Sequence, residues 1–336
     1  MKVSIRDLAA KCGLSVSAVS KALNNYPDIS EETRRHVVKT AQEMGYFPNA
    51  SARTLKTNRS RNIGVLFEPN SPSGMTHPFF SALLESFKAE AENRGYDLTF
   101  INPNIQSGMS YLEHCRYRNM DGVAVICTDL RKEEVRTLIN SEIPTVIIDS
   151  PVPEHASILS ENRNGMYALT RLAISMGHKK IAYLHGESSY VTDERIEGYA
   201  SALRQSDIEI RRDYVIASVF DNPREAQIAF KSAMALPDPP TCILMSDDTT
   251  AIAAIQTAKD MHLSVPGDIS IGGYDGVRTN LIFTPALTTV HQDTAAMGKT
   301  AARELIGLIE FPLENTPRHI SVPASLVIGE SIGKIG

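Results

Sequence analysis

At 336 residues, with 42% apolar and 22% charged side chains, the chain has room for two or three domains and excludes wholesale disorder or a fibrous repeat. Its net charge of -5 is unevenly spread: residues 1–60 carry ten Lys or Arg against five Asp or Glu, and the remainder 24 against 34. A basic head of +5 on an acidic body of -10 predicts a head that meets a polyanion and a body that repels one. No apolar run approaches the ~18 residues of a membrane span. Arg6, Asp7 and Lys11 fall where a signal peptide needs an unbroken apolar stretch, so a cytoplasmic protein without membrane contact is expected. Cys12, Cys115, Cys127 and Cys242 form no CxxC pair and read as free thiols, not as disulfides or a metal site.

In the head, Ile5, Leu8, Ala9 and Cys12 recur at helical spacing and Gly13 ends the run. Ser15 is placed to cap a second helix with Val19, Ala22 and Leu23 facing inward. Two short helices around a glycine turn form a helix-turn-helix, whose second helix enters the major groove. The outward positions of that helix, Val16, Ser17, Ser20 and Lys21, are short or basic, which suits base edges and phosphates. Ser30 caps a third helix in which Val37, Val38, Ala41 and Met44 close the core before Gly45.

Pro48 to Lys56 reads PNASARTLK, a helix of about two turns carrying an outward Leu55 and too short to hold alone. The segments IRDLAAKCGLSVSAVSKALNN, ISEETRRHVVKTAQEMGYFPNASARTLK and IGVLF resemble the lactose-repressor (LacI/GalR) family of bacterial transcriptional regulators, over essentially the whole chain. The resemblance implies a homodimer on double-stranded operator DNA, with paired hinge helices in the minor groove and Leu55 wedged into a base step. By the same resemblance Val16 and Ser17 read bases, Ala18 follows them, and Ser20, Lys21 and Asn24 touch phosphate or groove. Ala18 stands where the family usually has Thr, and Lys21 where Arg or His is common.

Beyond Asn62, apolar runs alternate with amphipathic stretches: IGVLF, GVAVIC and PTVIID in a first series, KIAYLHG, YVIASVF, TCILM and ISIGGYD in a second. Such runs separated by helices predict two parallel sheets covered on both faces, hence two Rossmann-like lobes. The resulting fold is an N-terminal three-helix helix-turn-helix DNA-binding domain (1–48), a hinge helix and linker (49–60), and an α/β two-lobed effector domain (61–336). The resemblance implies the periplasmic-binding-protein type I arrangement for the last, with crossings near Glu161, His291 and Ile320. The N-lobe then takes about 61–160 and 292–319, and the C-lobe about 162–290 and 320–330.

Open α/β sheets bind ligands at the carboxyl ends of their strands. Asp149 ends PTVIID, Phe220 ends YVIASVF, Asp247 follows TCILMS and Asp275 ends ISIGGYD, while Asp248 reads as a helix cap. These strand ends match effector-contact positions of the family, as does Arg195; His77 and Phe79 fall in the loop that lines the cleft from the N-lobe. Three carboxylates against one arginine repel phosphate and offer acceptors to hydroxyls, and Phe220 offers a pyranose a flat face, so the effector is expected to be a neutral carbohydrate. Purine-responsive relatives carry a second arginine shortly before the one matched by Arg195; here that stretch reads SSYVT. GGYDG is too short for a dinucleotide loop, and GxSxG, HExxH and P-loop motifs are missing, so no catalytic residue, cofactor or metal is expected. An effector-controlled regulator, most simply a repressor, is the function these features predict; a purine or phosphometabolite regulator is the alternative, and a solute-binding module a more distant one.

Overall fold

The chain divides into two compact units, 1–60 and 61–336. The computed structural model describes residues 3–47, 59–68, 73–101, 108–277 and 284–335, so Leu55 and the expected hinge helix lie outside the described residues. In the first unit Ser4 opens helix α1 (Ile5–Cys12) with a capping box, its hydroxyl accepting from the Asp7 amide while the Asp7 carboxylate accepts from the Ser4 amide. Gly13 ends α1 in the left-handed region at φ 66°, where a side chain is disfavoured. Ser15 then caps α2 (Val16–Leu23) through the Ala18 amide, and Ser30 caps α3 (Glu31–Met44) through that of Thr33. Leu8, Ala9, Val19, Ala22, Val37 and Ala41 make the small core. Val38 departs from expectation: it is 39% exposed, and Thr40 turns inward instead, its hydroxyl satisfied by the His36 carbonyl at 2.8 Å.

The second unit begins with β1 (Asn62–Phe67), α4 (Pro78–Asn93), β2 (Asp97–Phe100), α5 (Tyr111–Tyr117), β3 (Gly122–Ile126), α6 (Glu133–Ile139), β4 (Thr145–Ile148) and β5 (Ala156–Ser160). After Glu161 come α7 (Asn162–Ser175), β6 (Ile181–His185), α8 (Tyr190–Arg204), β7 (Val215–Ala217), α9 (Pro223–Met234), β8 (Cys242–Met245), α10 (Asp248–Asp260), β9 (Ser270–Asp275) and β10 (Thr288–Gln292). Helix α11 (Thr294–Glu310) returns to the first lobe, where Met297, Ala301 and Leu305 join the core of Ile63 and Phe87. Strands β11 (His319–Val322) and β12 (Ala324–Val327) complete the chain's two sheets.

One sheet has the order β11-β5-β4-β3-β1-β2 and is parallel throughout; the other runs β12-β10-β9-β8-β6-β7, with only β12 antiparallel. Helices pack on both faces, which is why β3, β4 and β8 are buried residue by residue and read as continuous apolar runs. Strand β5 lies outside the runs seen in the sequence, its apolar signal diluted by the buried Ser157 and Ser160. The third crossing also departs from expectation. Ile320 pairs with Ile158 in the first sheet, so the return to the second lobe comes at Pro323, between β11 and β12. Among the described residues no helix is long and apolar enough to cross a membrane.

Helices α7 and α8 pack together at Gly198, where a Cβ would stand 2.2 Å from the Arg163 carbonyl oxygen. That atom is backbone and cannot swing aside. Gly198→Ala is therefore expected to lower stability by about 1–3 kcal/mol through overpacking, read from the urea midpoint of the full chain. An unchanged midpoint would show that the two helices can part without cost.

Candidate DNA interface and ligand site

The described residues expected to face DNA sit on and just after α2. Val16 and Ser17 are exposed on its first turn, while Val19 and Ala22 hold the opposite side in the core. Ala18 and Ser20 are half-buried, and the Ala18 amide is taken by the Ser15 cap. Asn24 ends the helix, and its side-chain amide donates to the Ser20 carbonyl at 2.7 Å. Lys21 is half-exposed, and its ammonium donates to the Asp28 carboxylate.

In the second unit the geometry converges on Arg195, which is 3% exposed in α8. Its Nε donates to Asn162 Oδ1 and its Nη1 to the Ser246 carbonyl, both at 2.7 Å. The guanidinium stacks on the Tyr274 ring at 3.6 Å from the centroid, and Nη2 lies 3.9 Å from Asp275 Oδ1. Asp275 accepts from Gln292 Nε2 at 2.7 Å and ends β9 at φ 100°, a strained conformation for a non-glycine residue. Burial pushes the Asp275 carboxyl well above its usual range, with Asp247 and Asp248 adding to the rise, and the Arg195 charge and the Gln292 bond pulling back. Gln292 Oε1 and the Tyr183 hydroxyl are buried without a hydrogen-bond partner among the described residues.

The remaining residues divide. Asp149, at φ 57° just after β4, accepts from the Ser160 amide at 3.2 Å; burial raises its carboxyl to about 6, opposed by that bond and by Arg195. His77 caps α4, its Nδ1 accepting from the Phe79 amide, and its Nε2 lies 3.9 Å from Asp221 Oδ1 in the other lobe. Phe79 itself packs in the first lobe's core beside Leu83 and Phe87, so the ring next to His77 is that of Phe80, 5.2 Å away. Phe220 lies in the turn beyond β7 and not at its end, with its ring against Gly186, where a Cβ would come within 2.1 Å.

The helix cap expected of Asp248 falls to Asp247. Asp247 is the cap of α10: Oδ1 accepts from the Thr250 amide at 2.8 Å, and Oδ2 from the Ser246 hydroxyl and the Asp221 amide, both at 3.0 Å. Asp248 instead binds the Val277 amide and the Thr289 hydroxyl. A cavity of about 280 Å³ opens at the first crossing, lined by Ser160, Glu161, Asn162, Tyr190, Glu194 and Ser321. It contains none of the seven expected ligand residues, but Ser160 and Asn162 hold Asp149 and Arg195.

Residues 4–49 match the family of bacterial regulatory proteins, lacI family, and residues 170–332 the periplasmic binding protein-like domain. The chain is 31% identical over 339 residues to the HTH-type transcriptional repressor PurR of Vibrio vulnificus, covering 99% of each, and 31% identical to that of Photobacterium profundum, covering 98% of each. The chain belongs to the LacI family of bacterial regulatory proteins. It is a DNA-binding transcriptional regulator of that family. Its fold is that of the lac repressor dimer bound to operator and the anti-inducer ONPF (TM-score 0.83, 22% identity, 99% of this chain and 100% of that one). It is likewise that of a transcriptional regulator CelR–cellobiose complex (TM-score 0.71, 23% identity, 98% and 100%).

In this LacI-family chain, Asn162, Ser246, Tyr274 and Gln292 join the candidate site through contacts that periodicity and strand ends do not flag. Each acts on Arg195 or Asp275, and only Tyr274, beside Asp275 in the sequence, carries a local hint. Four positive-φ residues, Cys127, Asp149, Asp221 and Asp275, also gather near strand ends of the two sheets.

The raised Asp149 carboxyl has a testable consequence. Its folded value of about 6 lies above the ordinary 3.8, so protonation adds stability at low pH that is lost as pH rises through about 6. Asp149→Asn keeps the Ser160 bond and never charges. The variant should melt higher than the parent at about pH 8, with the difference shrinking as pH falls from about 6 towards 4. A gain independent of pH would contradict the burial of this charge.

Proposed function

We propose that the chain represses transcription in the cytoplasm as a homodimer on operator DNA, and that a neutral carbohydrate bound between its lobes controls it. One observation carries the choice of ligand. Arg195 is the only arginine or lysine among the seven expected residues, and it is already engaged by Asn162, Ser246, Tyr274 and Asp275. A phosphate or carboxylate ligand would have to displace those partners. Asp149 and Asp275 offer acceptors to hydroxyl groups, His77 and the Phe220 ring supply a donor and a flat face, and Gln292 Oε1 remains open for a ligand hydroxyl. Asp247 contributes by fixing the Asp221 turn, and Phe79 by backing Phe80.

On the DNA side Val16 and Ser17 set the sequence read, Lys21 and Ser20 supply backbone contacts, and Leu55 opens a base step. Ligand changes the angle between the lobes, and the paired hinge helices form or melt in response. The similarity to PurR repressors favours a second reading, in which the neutral ligand is a purine base stacked on Phe220.

Calorimetry on the full chain separates the two. Heat is expected with a mono- or oligosaccharide and none with hypoxanthine or guanine, and Asp275→Ala should abolish it while operator binding survives. Micromolar binding of a purine, with no response to any neutral sugar, would transfer the assignment to the second reading.

A further inference from the structure

We propose that Asp28 is an internal competitor for Lys21, keeping its ammonium off the DNA backbone and so suppressing binding to DNA of arbitrary sequence; the inference rests on α2 being the DNA-facing helix. Lys21 lies on α2 one turn beyond the exposed Val16 and Ser17. In the free protein its Nζ donates to Asp28 Oδ2, and the bond holds the Asp28 carboxyl below its usual range.

Asp28 is held in that place by the chain around it. The Tyr26 amide donates to the Lys21 carbonyl at 3.1 Å, and Asn25 takes φ 56° to make the turn. The Tyr26 carbonyl accepts from the Ile29 amide at 3.3 Å and from Arg34 Nη2 at 3.0 Å, and Arg34 is itself held by Glu31. These bonds fold the segment between α2 and α3 back so that residue 28 meets residue 21. The pair is therefore built by the loop and does not depend on two long side chains meeting by chance.

Magnitude decides what such a pair can do. With side chains 39% and 51% exposed, it is a surface ion pair, whose opening changes an equilibrium by about fivefold at most. That is too little to block an operator. Non-specific binding consists almost wholly of Lys and Arg on phosphate, so tying up one lysine lowers it by that factor. At an operator the base contacts of Val16 and Ser17 add a term that Asp28 does not touch. Both complexes lose the same factor, so the pair sets the level of affinity and not the ratio: the already loose complex on arbitrary sequence is weakened further, while the operator complex, held also by base contacts, stays tight.

Fluorescence anisotropy of the full chain on a short duplex of random sequence tests this with Asp28→Asn, Lys21→Gln and the double variant. Asp28→Asn should bind about two- to fivefold tighter than the parent, and the same change in the Lys21→Gln background should leave affinity unaltered. Unchanged affinity of Asp28→Asn overturns the proposal, and so does an equal gain in both backgrounds, which would mark diffuse repulsion between Asp28 and phosphate. If circular dichroism shows Asp28→Asn unfolded, Asp28→Ser takes its place in the same cycle. Failure of the parent to bind any duplex would strike the DNA reading itself, a result distinct from either of these.

Discussion

A permanently charged guanidinium buried in the second lobe is the constraint around which the effector unit is arranged. Taking such a charge out of water costs several kcal/mol, and the cost is met only when every donor finds a partner and a counter-charge stands near. Arg195 offsets that cost with two hydrogen bonds, a ring stack and a nearby carboxylate from three places in the chain: Asn162 at the first crossing, the Ser246 carbonyl after β8, and Tyr274 with Asp275 at the end of β9. The strained backbone of Asp275 belongs to the same arrangement, since the residue must leave β9 at φ 100° while its carboxylate faces Arg195 and Gln292. Removing one partner leaves a charge without compensation, which typically costs about 3–5 kcal/mol.

From that centre the rest of the site follows by contact. Asn162 opens α7 directly after the crossing at Glu161, so the guanidinium reports on the point where the chain changes lobes. Asp247 turns both carboxylate oxygens inward, fixing the Asp221 turn, and Asp221 in turn faces His77 of the other lobe. Charge, cap and crossing thus form one connected network. A ligand inserted between Asp149 and Asp275 would alter contacts on both lobes together, as a two-state device requires.

Much of this was legible in the sequence, and for physical reasons. Caps and periodicity are local, so Ser15, Ser30, Gly13 and the buried faces of α1 and α2 could be placed from neighbours in the chain. Strands buried on both faces declare themselves as apolar runs, and topology then puts Asp149 and Asp275 at their carboxyl ends. Tertiary partnerships were not legible. Asp247 and Asp248 are adjacent carboxylates, and only the fold decides which meets the Thr250 amide and which meets Val277 and Thr289. Phe79 and Phe80 are adjacent rings, and the rotation of α4 sends the first into the core. Likewise β5 and the crossing at Pro323 depend on pairing with β11, a partner far along the chain.

Arg195 organises the candidate ligand site from within. Hydrogen–deuterium exchange on the full chain and on Arg195→Met, which keeps much of the side-chain volume without the charge, tests it most directly. Exchange in the variant is expected to be faster around Asn162, Ser246 to Asp248 and Asp275, with the protection of α1 to α3 unchanged. Unaltered protection at those three segments would contradict it.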